Sequence, residues 1–286
     1  THIIASESQM LKGCQYFRDI EPGMILLIDS TGERKYEQLF ESTRKAHCTF
    51  DNNYFSSPAS RTNGISKEIL RQRLGNIVAC YIDKKPDIVV PVPDSGNSFG
   101  FSIAYHLGVR PVPGLLRDHY IGRNFIVEGD HQRLTMEKLQ LNDGVDFKGL
   151  HVLFADDSTV RGDTAKEIAR QAYAAGASIV DFAFSFPLWS HPCNMGINTR
   201  THAELLGHRA GGSLEKAAEL TGIRKIFVPT KLDVIRTNMG VAAMSGTSYN
   251  ESDFCMACVD GEYPIHSPLL HAPLQEQKIY AETKSG

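Results

Sequence analysis

The sequence lacks any long apolar run, since its unbroken hydrophobic stretches are only a few residues long. A membrane-spanning helix needs about 20 consecutive apolar residues, so no membrane segment is expected. Neither sign of charge dominates, because 30 Lys and Arg side chains face 33 Asp and Glu side chains. Nucleic-acid-binding proteins usually carry a basic excess or stripe, so no nucleic-acid partner is expected. No charged-then-apolar leader is visible, and a cytoplasmic location is expected.

Cysteine is also scarce, with six residues in a chain of 286. This is too sparse for a small disulfide scaffold, and the chain is long enough to bury a sizeable core. Cys255 and Cys258 form the only C-x-x-C pair. In an intracellular chain that spacing suggests metal or redox chemistry more than a disulfide. Cys14 and Cys80 lie within helical patterns and are predicted to be core thiols.

Apolar strands alternate with helical patterns through the middle of the chain. Helical periodicity covers residues 65–82, 97–107 and 164–175, and apolar strand patterns cover 88–93, 152–155, 178–185 and 225–228. This alternation predicts an α/β fold with a mainly parallel sheet flanked by helices.

The two ends of the chain have weaker patterns. A short apolar strand at 2–7, a helix at 8–17 and a strand at 24–29 are predicted upstream. The polar residues 41–64 are interpreted as an irregular connector. After about Thr237 regular patterning fades, which predicts a loop-rich tail.

The most informative stretch spans residues 152–164. An apolar strand runs directly into Asp156 and Asp157, and a short loop containing Gly162 precedes a helix at Thr164. Ligands of open α/β sheets bind beyond the carboxyl ends of the strands, and amides at a helix start can hold a phosphate. Two carboxylates there suit ribose hydroxyls or a hydrated Mg²⁺. The stretch therefore predicts a phosphoribosyl pocket, the alternative being a turn with two solvated acids.

The same stretch resembles the phosphoribosylpyrophosphate (PRPP) motif of type I phosphoribosyltransferases. Its form D-D-S-x-V-R-G-x-T is similar to that of the glutamine PRPP amidotransferase family. Further segments agree in order, at residues 4–8, 90–95, 119–126, 191–197 and 261–264. The resemblance implies a type I phosphoribosyltransferase fold. It also implies transfer of ammonia to C1 of PRPP with release of pyrophosphate, giving 5-phosphoribosylamine, the first step of de novo purine biosynthesis.

The resemblance implies roles for individual residues. Those expected to act on the reacting bond are Arg117, His119, Arg123, Asp156 and Asp157. Those expected to bind PRPP are Asp94, Ser95, Gly96, Asp156, Asp157, Ser158, Val160, Arg161, Gly162, Asp163 and Thr164. Mg²⁺ is expected at Ser95, Asp156 and Asp157.

One branch of this family carries a structural 4Fe–4S cluster, and its ligand motifs are recognisable here. They place the ligands at Cys48, Cys193, Cys255 and Cys258. Four thiolates from three distant segments are what a Cys₄ cluster needs. A Cys₄ zinc site and four unligated thiols are the alternatives.

The resemblance also divides the chain and implies partners. Residues 1–50 resemble the end of a glutaminase-like domain, 51–64 a connector, 65–237 the phosphoribosyltransferase domain and 238–286 an iron–sulfur-binding tail. About fifty residues cannot form a complete glutaminase. This chain alone is therefore not expected to hydrolyse glutamine. A glutaminase domain or subunit is expected to supply the ammonia, and a homo-oligomer is expected.

The loop after Arg117 departs from the family pattern. This chain has Arg117-Asp118-His119 where members of the family usually have Lys-Asn-Arg. In addition, Asp163 places an acidic side chain beside the loop expected to bind the phosphate, where most members have an uncharged residue. Two alternatives stay open on this ground. One is a non-catalytic PRPP- or nucleotide-binding regulatory relative. The other is an amidotransferase-like enzyme of a specialised pathway that uses another amine.

Overall fold

The computed structural model of the chain describes residues 2–15, 18–41, 45–117 and 139–265. Its strands and helices, in chain order, are β1 (Met24–Ile28), β2 (Arg34–Gln38), β3 (His47–Cys48), β4 (Arg61–Thr62), β5 (Ile65–Ser66), α1 (Lys67–Ala79), β6 (Ile88–Pro91), α2 (Asn97–Leu107), β7 (Arg110–Pro111), β8 (Leu115–Arg117), β9 (Leu139–Leu141), β10 (His151–Asp156), α3 (Asp163–Ala174), β11 (Ile179–Phe184), α4 (Leu206–Arg209), α5 (Leu214–Thr221), β12 (Lys225–Phe227), α6 (Lys231–Ala243), β13 (Phe254–Cys255) and α7 (Ala257–Asp260). Among these helices, none is long and apolar enough to cross a membrane.

A five-stranded parallel sheet forms the centre of the protein, in the spatial order β12-β11-β10-β6-β7. Both faces of the central strand β10 are apolar, because helices cover each of them. Leu153 packs into one core cluster with α1, α2 and α6, whereas Val152 and Phe154 pack into the other with α3 and α5. Successive side chains of a strand point to opposite faces, so a strand covered by helices on both sides reads as a continuous hydrophobic run. The predicted α/β fold is confirmed.

The predicted central elements agree with the structure to within a few residues. Helix α2 has the predicted bounds, and β10, α3 and β11 each differ by one residue at either end. The predicted strand at 24–29 is β1, which pairs antiparallel with β2.

The predictions for the ends of the chain were partly wrong. Residues 2–7 form no strand. Within the described residues 8–15 of the predicted helix at 8–17, the chain forms only a 3₁₀ turn at Ser8–Leu11. Gly13 follows this turn with a φ of +80°, and this left-handed backbone conformation ends the helical pattern. The tail is also more regular than predicted, because α6 continues past Thr237 to Ala243.

Two further predictions were wrong. Residues 41–64 include β3, β4 and a π-helical turn at Asp51–Phe55, so they are not an irregular connector. Cys14 and Cys80 are exposed rather than buried. Helix α1 ends at Ala79, which leaves Cys80 at its carboxyl-terminal cap beside His106.

Candidate functional site

The carboxyl ends of two neighbouring strands, β6 and β10, define a cavity of about 600 Å³. The loops that follow them are tightly joined, since the Val92 amide donates to Ala155 O at 2.8 Å. Gly96 lies against the same carbonyl, and a Cβ at this position would come within 2.4 Å of Ala155 O. Only glycine allows this close approach of the backbones. The cavity is called the carboxylate cavity below. Its polar lining comprises Ser95, Arg117, residues 156–159, Arg161, Asp163, Thr164, Asn198 and Thr199.

Asp156 and Asp157 lie together at this edge of the sheet. The Asp157 amide donates to Asp156 Oδ1 at 2.8 Å, and the Ser158 hydroxyl donates to Asp157 Oδ2 at 2.6 Å. Burial and the adjacent Asp157 carboxylate raise the pKa of Asp156 well above its ordinary value, against a hydrogen bond from Ser95. A nearby cation would favour the ionised form. The structure thus brings three residues predicted to bind Mg²⁺ to one place, with the oxygen donors that this ion prefers.

Two buried side chains that the sequence analysis did not single out hold Asp157 in place. Asn53 Nδ2 donates to Asp157 O at 3.2 Å, and the Ser185 hydroxyl lies 3.0 Å from the same oxygen. The hydroxyl also lies 2.9 Å from Asn53 Oδ1, and both side chains are fully buried. Asn53 belongs to a polar stretch, so no sequence signal distinguished it from an exposed loop residue.

The predicted phosphate loop leads from β10 into α3. Gly162 caps the helix with a φ of +89°, and Asp163 and Thr164 form its first turn at the cavity wall. The first amides of a helix have no intrahelical acceptor, which suits them to an anion. Asp163 is exposed. Arg161 was expected to contact a phosphate, but its guanidinium is held by Glu204, with Nε 2.9 Å from Oε2.

The loop at residues 93–96, which contains three of the residues expected to bind PRPP, is contacted by an arginine. Arg117 Nη2 donates to Pro93 O at 2.7 Å, and Arg117 Nε lies 3.9 Å from Asp94 Oδ2. The Asp94 side chain is 79% exposed and does not line the cavity, whereas Ser95 does. His119 and Arg123, which were expected to act in the same loop as Arg117, lie outside the described residues.

A second cavity, of about 570 Å³, brings together the four cysteines singled out in the sequence. Parallel pairing of β3 with β13 places Cys48 opposite Cys255, and Cys258 follows in α7. Cys193 joins them from the loop after β11. This cysteine cavity is otherwise mainly apolar, with Phe50, Trp189 and Tyr263 in its wall.

The electrostatics of the cysteine cavity disfavour free thiolates. Burial raises the pKa of Cys48 to about 11, with a smaller contribution from Cys255. Burial and the proximity of the other three cysteines also raise the pKa of Cys258. Within the described ranges, no three His, Cys, Asp or Glu side chains are arranged to hold a single metal ion. The cavity therefore groups four thiols without forming a ready single-ion site.

The two cavities share a wall. Phe50, Phe55 and Ile197 line both of them. Phe50 precedes the π-helical turn Asp51–Phe55 and Phe55 is its last residue, and the same turn carries Asn53, which donates to Asp157 O. The segment predicted to be a connector is thus a structural part of both cavities.

The chain is similar to proteins named amidophosphoribosyltransferase, although no protein-family model matches it. It is 32% identical to the protein from Synechocystis over 93% of this chain and 52% of that one. It is 32% identical to the protein from Bacillus subtilis, over 92% of this chain and 54% of that one. The chain therefore spans about half the length of the curated relatives it matches.

The solved structures lead to the same group. The structure of glutamine PRPP amidotransferase from B. subtilis, complexed with ADP and GMP, superposes with a TM-score of 0.77 at 31% identity. The superposition covers 91% of this chain and 56% of the B. subtilis chain. A second structure, described as the allosteric regulatory enzyme of purine biosynthesis, superposes with a TM-score of 0.78 at 30% identity over 94% of this chain and 58% of that one.

Proposed function

Since the chain is homologous to the amidophosphoribosyltransferases over nearly all of its own length, we propose that it transfers ammonia to C1 of PRPP. The products are 5-phosphoribosylamine and pyrophosphate, which makes the chain a glycosyltransferase of the phosphoribosyltransferase type in purine biosynthesis. The observation that carries this proposal is the carboxylate cavity. It combines an acidic pair, a helix-capped loop and an arginine-bound loop at the carboxyl ends of two adjacent strands.

The reaction breaks the bond between C1 and the pyrophosphate oxygen and forms a bond between C1 and nitrogen. The bonding electrons leave with pyrophosphate, and the attacking NH₃ gives up a proton. Positive charge therefore develops on the sugar and negative charge on the leaving group. Asp156 and Asp157 would accept hydrogen bonds from the ribose hydroxyls and favour the cationic sugar, because preorganised charges stabilise a matching transition state.

The two loops would bind the two ends of PRPP. Residues 158–164 would surround the 5′-phosphate through backbone amides and the Thr164 hydroxyl. The backbone of the loop at Asp94–Gly96 would face the diphosphate, with Arg117 holding that loop through Pro93 O. His119 and Arg123 are proposed to complete the cover over the leaving group.

Mg²⁺ fits the acidic pair, because Asp156 carries a raised pKa that a cation would relieve. Ser95, Asp156 and Asp157 would hold it. When bound, the ion supplies positive charge against the departing pyrophosphate.

A 4Fe–4S cluster is the proposed occupant of the cysteine cavity. Each thiolate of such a cluster binds a different iron, so the four sulfurs lie farther apart than around one ion. Cys48, Cys193, Cys255 and Cys258 line one mainly apolar cavity, and this grouping of four thiols is what supports the proposal. Ligation would also offset the cost of ionising Cys48 and Cys258, whose thiolate forms burial disfavours.

The remaining parts of the proposal concern partners and organisation. Residues 1–50 are proposed to end a glutaminase-like domain, followed by the segments 51–64, 65–237 and 238–286. A glutaminase domain or subunit would supply the ammonia, and Ile4 and Phe40, more than 70% exposed, offer apolar surface in that first segment. Homo-oligomerisation and a cytoplasmic location stay predictions.

The test is pyrophosphate release from PRPP in the presence of Mg²⁺ and ammonium. The nucleophile is NH₃, so the rate at fixed total ammonium should rise with pH. Glutamine in place of ammonium should give no pyrophosphate with this chain alone. PRPP binding without pyrophosphate release at any pH would contradict the proposal and favour a regulatory PRPP-binding protein.

A further inference from the structure

The outer side of the phosphate loop is held by a segment remote in sequence, residues 200–209. The Leu206 amide donates to Val160 O at 2.8 Å, and Arg209 Nη2 donates to Arg161 O. Glu204 holds the Arg161 side chain through Nε and Nη2. Two successive carbonyls and one side chain of the loop are therefore fixed from the same side.

This arrangement has a consequence for the loop amides. In a planar trans peptide the N–H points opposite to the C=O of the same unit. The carbonyl of Val160 shares its peptide with the amide of Arg161, and the carbonyl of Arg161 shares its peptide with the amide of Gly162. Because both carbonyls are bound by the 200–209 segment, both amides are turned away from it. The loop around them lines the carboxylate cavity.

Glu204 is itself held rigidly. Its Oε1 accepts the Arg200 amide at 2.7 Å and the Thr201 amide at 2.9 Å, while Oε2 faces Arg161. Although burial acts in the other direction, these amides and Arg161 lower the pKa of Glu204. The carboxylate is therefore a fixed negative charge that engages Arg161.

The packing leaves the loop little freedom to move away. A Cβ at Gly162 would lie 3.0 Å from Thr221 Cγ2 and 3.1 Å from Leu206 Cδ2. Leu206 is fully buried and belongs to the same segment as Glu204 and Arg209. The segment is thus anchored in the core and can hold the loop in one conformation.

We propose that Glu204 and Arg209 are positioning residues that orient the amides of Arg161 and Gly162 for the 5′-phosphate of PRPP. The inference rests on the proposed function for the identity of the ligand. Glu204 acts through Arg161, and Arg209 acts through the Arg161 carbonyl. Because the 5′-phosphate does not react, the two residues contribute equally to the ground state and the transition state. Their loss should raise the KM for PRPP and leave kcat nearly unchanged.

The experiment compares Glu204→Gln and Arg209→Ala with the unmodified chain. Glu167→Gln is the matched control, since it removes a Glu–Arg pair of α3 in which Glu167 accepts from Arg170 at 2.6 and 2.8 Å. Ribose 5-phosphate and Mg²⁺-pyrophosphate serve as separate binding probes. Each test variant should bind ribose 5-phosphate about tenfold more weakly and pyrophosphate normally. Arg209→Lys should restore part of the loss, because Lys can also donate to the Arg161 carbonyl.

The outcomes separate this inference from the proposed function. Equal weakening of both probes would indicate a merely structural role and overturn the inference. Unchanged or tighter binding of ribose 5-phosphate by Glu204→Gln would also overturn it, the latter showing that Glu204 withholds Arg161 from the phosphate. If the unmodified chain releases no pyrophosphate from PRPP with ammonia, the proposed function fails whatever the variants bind.

Discussion

The carboxylate cavity and the cysteine cavity share a wall but are built in opposite ways. The first takes its acids and its phosphate loop from one continuous stretch, Asp156–Thr164. The second collects Cys48, Cys193 and Cys255 from three distant segments and places them in a mainly apolar lining. The first has carboxylates that suit a cation and polar ligands, whereas burial disfavours ionisation of Cys48 and Cys258 in the second.

The difference indicates two ways in which a chain can stabilise reactive groups. At the carboxylate cavity, the five-stranded sheet supplies the scaffold, and hydrogen bonds from Asn53 and Ser185 hold Asp157. At the cysteine cavity, the segments meet through a strand pair of only two residues, β3 with β13. We therefore expect the fold around the cysteines to depend on their ligation, and the fold around the carboxylates to be independent of the ligand.

The largest expected effect follows from removing one cysteine. Anaerobically purified protein should contain about four iron atoms per chain, and Cys258→Ser should lose the iron and lower the free energy of unfolding by several kcal/mol. Iron analysis and thermal unfolding measure both. Cys80→Ser, which changes an exposed thiol outside the cavity, is the matched control and should keep the iron. Stoichiometric zinc without iron in the unmodified protein would contradict the cluster assignment.

Substitution in the acidic pair, Asp156 and Asp157, is expected to change stability less than loss of a cysteine does. Its effect on turnover is expected to be clear. Asp156→Asn should slow pyrophosphate release at least tenfold, about 1.4 kcal/mol of barrier, because it removes charge that favours the cationic sugar. Its thermal unfolding should change little. Asp143→Asn, at an exposed position that does not line the cavity, is the control. Normal turnover of Asp156→Asn would remove this residue from the mechanism.

The smallest expected effect is on the pH dependence of stability, and it concerns Lys67, which contacts the π-helical turn Asp51–Phe55. Lys67 is fully buried and donates to Asn52 Oδ1 in the π-helical turn. Burial lowers the pKa of Lys67 from 10.5 to about 8, with a smaller contribution from Arg71. Above pH 8 the unfolded chain binds more protons than the folded chain, so stability rises with pH until the unfolded value is reached.

Urea unfolding of Lys67→Met tests this expectation. The unmodified chain should gain about 1 kcal/mol relative to the variant between roughly pH 7.5 and pH 9. Exposed Lys166→Met should follow the unmodified chain at both pH values. A constant difference between Lys67→Met and the unmodified chain would show that Lys67 keeps an ordinary pKa.

The sequence was most informative where the site is local. The acids and the phosphate loop follow a buried strand directly, so the rule that ligands bind at the carboxyl ends of strands applies without knowledge of remote contacts. Asn53 and Glu204 were missed because their partners, Asp157 and Arg161, are 104 and 43 residues away. Neither residue stands in a motif that distinguishes it from an exposed polar side chain.

The cysteine cavity shows the limit of spacing arguments. The C-x-x-C pair alone indicated metal or redox chemistry, and grouping it with Cys48 and Cys193 required the family resemblance. Spacing could not show that β3 pairs with β13, since a two-residue strand leaves no periodic pattern. For the same reason residues 41–64 were interpreted as an irregular connector, although they contain Phe50 and Phe55, which line both cavities.

The most direct test of the central claim is a single-turnover reaction of the chain with PRPP, Mg²⁺ and ¹⁵N-labelled ammonia. We expect one labelled phosphoribosylamine for each pyrophosphate released, and loss of both products in Asp156→Asn. Release of pyrophosphate with ribose 5-phosphate instead of the labelled amine would show hydrolysis rather than amine transfer. That result would contradict the proposed function even if PRPP binds in the carboxylate cavity.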